Sequence, residues 1–235
     1  MITWRSRFVI LLDEWKAIYY SVPKVACSSL RTSFARLLGI PLKHGNPHRY
    51  YPSPIPFLSY KGYHRFAFVR NPWDRLLSCY RDKIQGEVRG FTRMGPPQLV
   101  TGRGVAQCLS KWDAFTADMG FADFIEVVAE IPDEEADVHF RSQHTFIPDN
   151  INFIGRYEHL EEDFEIVRRS TGLPYIRLPR LQVANRPMNY RHIYTRAMRD
   201  IVAHRYAKDI EMFGYEYGMP LDKNVSAPHK PAASG

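Results

Sequence analysis

The apolar positions of this chain alternate between two periods. Lys16–Val22 (KAIYYSV) is rich in β-branched and aromatic residues and ends at Pro23, which predicts a buried strand. A short polar turn follows. Ser29–Leu38 then places Leu30, Phe34, Leu37 and Leu38 on one face of a helix, with Ser28 or Ser29 as its cap and Gly39 past its end. Tyr63–Arg70 (YHRFAFVR) repeats the strand pattern. Asn71 is a good N-cap and Pro72 a good first helical residue, and the predicted helix carries Trp73, Leu77, Tyr80 and Ile84 until Gly86 stops it. A third strand, Ile151–Tyr157, precedes an acidic helix start (HLEEDF), and that helix closes at Gly172 and Pro174. Phe121–Glu130 and Thr195–Phe213 read as further amphipathic helices. Such alternation predicts an α/β domain over residues 1–220, its parallel sheet covered on both faces.

Two segments break the pattern. Ile40–Tyr60 is proline-rich and brings His44, Asn46 and His48 close together; Glu87–Lys111 is glycine-rich and carries Arg89, Arg93, Arg103 and Lys111. Long irregular segments in an α/β domain are usually functional, and ligands of such sheets sit beyond the carboxyl ends of the strands. The polar Pro/Ala/Ser-rich segment 221–235 reads as a disordered tail.

Hydrophobic residues make up 45% and charged residues 24% of the 235, enough apolar content for one sizeable core. No run approaches the ~20 apolar residues of a membrane span. Near the N-terminus the longest apolar run, Phe8–Leu12, is interrupted by Asp13 and Glu14, too short for a secretory leader. Cys27, Cys79 and Cys108 are far apart, with no C-x-x-C pair, which argues against a disulfide framework or a zinc site. A cytoplasmic, reducing setting is the expectation. The formal charge of +7 calls for an anionic partner. Basic residues are interspersed with acidic ones such as Glu161, Glu162 and Asp163, so a nucleic-acid partner is not expected.

Pro23–Leu30 (P-K-V-A-C-S-S-L) stands between a strand and a helix N-terminus. Backbone N–H groups and the positive end of the helix dipole make an anion site there. Lys24 adds a charge, Ser28 and Ser29 add hydroxyls, and the small Ala26 and Cys27 let a ligand approach the backbone. The G-x-x-x-x-G-K-[ST] glycines are missing and the lysine comes first, which disfavours an ATP or GTP loop. The plainer alternative is a surface lysine ahead of an ordinary capped helix.

Arg70 and Ser78 stand eight positions apart in V-R-N-P-W-D-R-L-L-S-C-Y-R-D-K, about two helical turns. They can face one side and share a phosphate, for which the planar arginine fork is suited. The alternative is an arginine held by a carboxylate and a serine bonded to its own helix.

Together these stretches resemble the sulfotransferases that use 3′-phosphoadenosine 5′-phosphosulfate (PAPS), in their carbohydrate, Golgi-type branch (sulfotransferase family 2). PKVACSSLR is similar to that family's 5′-phosphosulfate loop and FVRNPWDRLLSCYRDK to its 3′-phosphate motif, with the family's Arg and Ser falling on Arg70 and Ser78. DVHFRSQ…INFIGRYEHLEEDF and YTRAMRDIVAHRYAKDIEMFGY extend the resemblance over residues 15–217. It implies a three-layer α/β sandwich of P-loop-NTPase-like fold. It also implies PAPS as donor, 3′,5′-adenosine bisphosphate as product, no metal, and a carbohydrate or glycolipid acceptor, an acidic one included. Golgi relatives carry a membrane anchor, and the reading here is a soluble, bacterial-type member.

By the same resemblance Lys24 contacts the bridging or sulfuryl oxygens, and main-chain amides of Val25, Ala26, Cys27, Ser28, Ser29 and Leu30 hold the 5′-phosphate. A neutral histidine suits the base. His48 lies where some relatives place theirs, and His139, in DVHFRSQ, is the second candidate; His44, His64 and a carboxylate are weaker ones. By the resemblance Arg186, in the A-N-R-P loop, is a candidate to cover the cofactor phosphates, with a solvated loop arginine as the equal alternative. Glu158 reads as a helix-capping or arginine-paired charge sooner than a catalytic acid, and Arg141 joins Arg89, Arg93 and Arg103 as a candidate for an acidic acceptor. The rival enzyme class is a P-loop-type small-molecule kinase, which needs a Walker loop and a magnesium-holding Asp that the chain does not display.

Overall fold

The apolar run near the N-terminus is a strand. Val9–Leu12 (β1) runs antiparallel to Ala17–Tyr20 (β2), with Val9 opposite Tyr20 and Leu12 opposite Ala17. Between them Lys16 takes a left-handed φ of 44° and donates its N–H to Asp13 O at 3.0 Å. Four apolar residues carry no readable period of their own, so this strand is visible only once its partner is in place. The computed structural model describes residues 8–42, 60–85, 115–116, 119–179 and 190–219. The expected tail, 221–235, and most of the two irregular segments lie outside these.

β2 pairs in parallel with His64–Val69 (β3), and β3 in parallel with Phe153–Arg156 (β4), giving the order β1-β2-β3-β4. Three of the four strands are parallel, as expected of an α/β domain, and β1 makes the sheet mixed. Each predicted strand loses a residue or more at its ends, the usual uncertainty of a boundary. The described residues fall into two units: the first draws on Met1–Val69 and Gln143–Leu181, the second on Arg70–Ser142 and Gln182–Pro220.

In the first unit both faces of β2 are buried, and so are Phe66 to Val69 of β3. That explains why these strands read as continuous apolar runs. One face is aromatic. Tyr19 stacks on Phe66 at 5.4 Å and meets Phe34 of helix Cys27–Leu37 (α1) at 5.3 Å. From the helix after β4, Phe164 reaches Phe34 at 6.1 Å and Phe68 at 6.4 Å.

The second unit is helical. Pro72–Tyr80 (α2) continues as a π-helical turn, Arg81–Gln85, and packs with Phe121–Ala129 (α3). In the first unit, Leu160–Thr171 (α4) has Glu161, Glu162 and Asp163 in its first turn and Arg168 and Arg169 in its last, as the helix dipole favours, and Gly172 closes it at φ 75°. The single helix expected over Thr195–Phe213 is two, Arg196–Arg205 (α5) and Ala207–Phe213 (α6). They break at Tyr206, whose ring is buried and whose hydroxyl is bonded to Phe140 O at 2.6 Å. Among the described residues no helix is long and apolar enough to cross a membrane.

Gly155 of β4 stands opposite Phe68 in the ladder. A Cβ there would overlap the Phe68 ring and come within 3.0 Å of Asp163 Cβ. Gly155→Ala is therefore expected to cost about 1–3 kcal/mol of stability through overpacking, read from the urea midpoint. An unchanged midpoint would mean that the ring has room to move.

Candidate functional site

The first element lies in the first unit, where β2 runs into α1. Lys24 has φ 68° and Ala26 φ 48°, left-handed values that side chains rarely adopt. Each costs on the order of 1–2 kcal/mol. Helix α1 begins at Cys27 with Ala26 as its cap, so the expected Ser28 or Ser29 cap is corrected by two residues or more. The physical reason is the bend itself: left-handed Ala26 starts the helix early and places both serines inside the first turn. Ala26 has no side-chain acceptor, and the first turn holds no carboxylate.

Within the loop the amides divide. Val25 N–H bonds Val22 O at 3.3 Å and Leu30 N–H bonds Ala26 O at 3.0 Å. Those two amides, expected among the phosphate ligands, close the ends of the loop instead, and their side chains are fully buried. The amides of Ala26 to Ser29 are the ones with no acceptor inside the helix. Ser28 and Ser29 are buried, and Lys24, Ala26 and Cys27 half-buried. A bend of backbone donors beside a cation, at the positive end of a helix, suits a phosphate or sulfate oxygen.

The second element lies in the second unit. Asn71 caps α2 as expected: its Oδ1 accepts Trp73 N–H at 3.2 Å, and its Nδ2 donates to Glu216 O at 3.1 Å. Every residue of α2 is buried except Asp74 and Ser78. With Arg70 just ahead of the cap, positions 70, 74 and 78 follow one another at helical spacing along a single stripe. Arg70 Nε donates to Asp74 Oδ2 at 2.8 Å. Arg70 is thus held by a carboxylate, the alternative that the sequence allows, and its i, i+4 relation to Asp74 is the signal for that partner.

The third element, also in the second unit, is the segment around His139. Asp137 Oδ1 lies 2.6 Å from His139 Nδ1 and accepts His139 N–H at 2.9 Å. The carboxylate is 3% exposed and the imidazole 27%. An ionised carboxylate can only accept, so this contact puts a proton on Nδ1, and in the neutral imidazole the lone pair is then on Nε2. Three long side chains fasten the segment. Arg75 Nη1 donates to Arg141 O at 2.8 Å, Tyr206 Oη to Phe140 O at 2.6 Å, and Arg205 to Ser142 Oγ at 3.1 Å and Asp133 Oδ1 at 2.8 Å. The C-terminal HRY stretch thus positions the histidine segment. Arg141, one candidate for an acidic acceptor, turns its Nε and Nη2 onto Ala136 O, at 3.0 and 2.6 Å.

Burial pushes the Tyr206 hydroxyl far up, which keeps it a neutral donor. Burial would raise the Asp133 carboxyl, but the Arg205 charge and the Ser142 and Arg205 hydrogen bonds outweigh it and hold it below the usual range. His64, at the start of β3, is packed near Phe66, and burial lowers its pKa. Glu158 sits half-buried in the turn Tyr157–His159 that leads into α4. His48, His44, Arg186, Arg89, Arg93 and Arg103 lie outside the described residues.

The family model described as "Sulfotransferase family" matches residues 7–216, a span that takes in all three elements. Carbohydrate sulfotransferase 14 of Danio rerio is 27% identical over 233 residues, covering 88% of this chain and 62% of the relative. Its Homo sapiens counterpart is 27% identical over 237 residues, covering 89% and 60%. Carbohydrate sulfotransferase 11 of Rattus norvegicus is 24% identical over 249 residues, covering 95% and 68%. The chain thus spans about three fifths of the length of the first two relatives. No solved structure gives a significant match. Nothing in these comparisons supports a kinase.

The Asp133–Arg205 pair has a pH signature. A carboxyl held low in the folded state adds stability above the ordinary carboxylate value, about pH 4, and loses it as pH falls through its lower folded value. Asp133→Asn is expected to cost roughly 1–3 kcal/mol at pH 7. The gap to the parent should narrow steadily towards pH 3, as read from denaturant midpoints. A gap independent of pH would show that the charge of Asp133 contributes nothing.

Proposed function

This chain belongs to the sulfotransferase family, and on that premise we propose that it transfers a sulfuryl group from PAPS to a hydroxyl of a carbohydrate acceptor, a glycan or glycolipid. The observation that carries the reading is the left-handed cap at Ala26, which starts α1 with backbone donors and no competing side chain. The names of the relatives, carbohydrate sulfotransferases, supply the acceptor class. PAPS, when bound, supplies the sulfuryl group and leaves as 3′,5′-adenosine bisphosphate.

In this reading Lys24 and the amides of Ala26 to Ser29, with the hydroxyls of Ser28 and Ser29, hold the 5′-phosphosulfate. They, and not a metal, supply positive charge where negative charge builds on the leaving oxygen. Arg70 and Ser78 hold the 3′-phosphate, and Arg186 covers the phosphates. His139 takes the proton of the acceptor hydroxyl at Nε2, with Asp137 keeping Nδ1 protonated and the ring in place. Asp137 is what favours His139 over His48, the other candidate. A cytoplasmic setting belongs to the same proposal and rests on the cysteines, of which neither Cys27 nor Cys79 forms a disulfide.

Calorimetry with 3′,5′-adenosine bisphosphate, ADP and ATP tests the donor: the bisphosphate is expected to bind well over tenfold more tightly than the other two. Tighter binding of ADP or ATP, above all with Mg²⁺, would overturn the proposal. Arg70→Ala should weaken the bisphosphate by more than tenfold. His139→Ala should abolish turnover while leaving bisphosphate binding intact, whereas an inactive His48→Ala beside an active His139→Ala would move the base to His48.

A further inference from the structure

Arg70 opens onto the half-buried stripe of α2, and its guanidinium is held. The backbone around it is stiff, because Pro72 fixes the first helical φ and Asn71 is bonded in two directions, to Trp73 N–H and Glu216 O. The long arginine side chain is not stiff by nature and has many rotamers open to it. Asp74, one turn into the helix, accepts from Arg70 Nε at 2.8 Å, and the two side chains are 23% and 13% exposed respectively. Ser78, one turn further, is the only other residue of α2 that is not buried.

We infer that Asp74 is a positioning residue for the 3′-phosphate subsite: by holding Nε it sets the orientation in which the Arg70 guanidinium meets the phosphate. The inference rests on the proposed assignment of Arg70 to that phosphate. With Nε bonded to a carboxylate, the plane of the guanidinium is set before the ligand arrives, so less side-chain freedom is lost on binding. The Asp74 charge itself repels a phosphate, and at a partly exposed site solvent and salt screen that repulsion. Positioning and repulsion therefore predict opposite signs when Asp74 is removed. A purely structural role, an acidic residue in the first turn favoured by the helix dipole, predicts lower stability and no change in ligand discrimination.

The readout is the ratio of the dissociation constants of 5′-AMP and 3′,5′-adenosine bisphosphate, which isolates what the 3′-phosphate contributes. Calorimetry is run on the full chain as parent, Arg70→Ala, Asp74→Ala and the near-isosteric Asp74→Asn, with a thermal melt of each to confirm folding. The expected result is that Arg70→Ala collapses the ratio, Asp74→Ala lowers it about tenfold and Asp74→Asn, which keeps an oxygen acceptor, lowers it less. If Arg70→Ala collapses the ratio while both Asp74 variants leave it unchanged or raise it, the positioning role is overturned and the Arg70 assignment stands. If Arg70→Ala leaves the ratio intact, the assignment falls and the role of Asp74 falls with it. Should Asp74→Ala fail to fold, the asparagine variant decides alone, since its loss of charge without loss of the acceptor predicts a fall for positioning and a rise for repulsion.

Discussion

The left-handed bend at Lys24 and Ala26 is the constraint on which the proposed donor site depends. Two non-glycine residues there stay in a conformation that an isolated peptide would leave, at a cost of about 1–2 kcal/mol each. What holds them is the burial on either side. Val22, Val25, Leu30 and Phe34 are fully buried, and complete burial of such side chains is worth about 1.5–3 kcal/mol each. The bend lets α1 start at Cys27 with its first amides aimed past the cap. A serine cap in the ordinary extended conformation would have bonded its own hydroxyl to those amides and filled the place an anion needs.

In a chain of net charge +7, acidic side chains do much of the fastening among the described residues. Asp74 holds Arg70, Asp137 holds His139, and Asp133 holds Arg205 and the Ser142 amide. In the first unit Asp163 accepts Arg156 N–H at 2.6 Å and ties the start of α4 to the end of β4, although burial pushes its carboxyl above the usual range. Each carboxylate fixes the direction of a donor. The minority charge thus sets where particular cations and amides point.

Much of the frame was legible in advance. Strand–helix alternation, the Asn71–Pro72 helix start and the Gly172 stop follow from hydrophobic period and from the φ preferences of Pro and Gly, which act over a turn or two of chain. The candidate residues Lys24, Arg70, Ser78 and His139 came from spacing and resemblance. What was misjudged is equally specific. β1 is too short to show a period, the Ala26 cap breaks the preference for serine, and the break at Tyr206 interrupts a helical pattern that is unbroken in the sequence.

By itself, the sequence determined the class of fold, the order of its elements and the residue types able to meet an anion, because those depend on additive and local terms: burial period, cap chemistry and charge. Only the tertiary structure decided which polar groups are partners. Tyr206 finds Phe140 across 66 positions and Arg205 finds Asp133 across 72. Phe68 leaves room for nothing larger than glycine at position 155. Such pairings depend on distance and direction between segments far apart in the chain. A hydrogen bond or a ring contact is lost within about an ångström, and no period in the sequence carries information that fine.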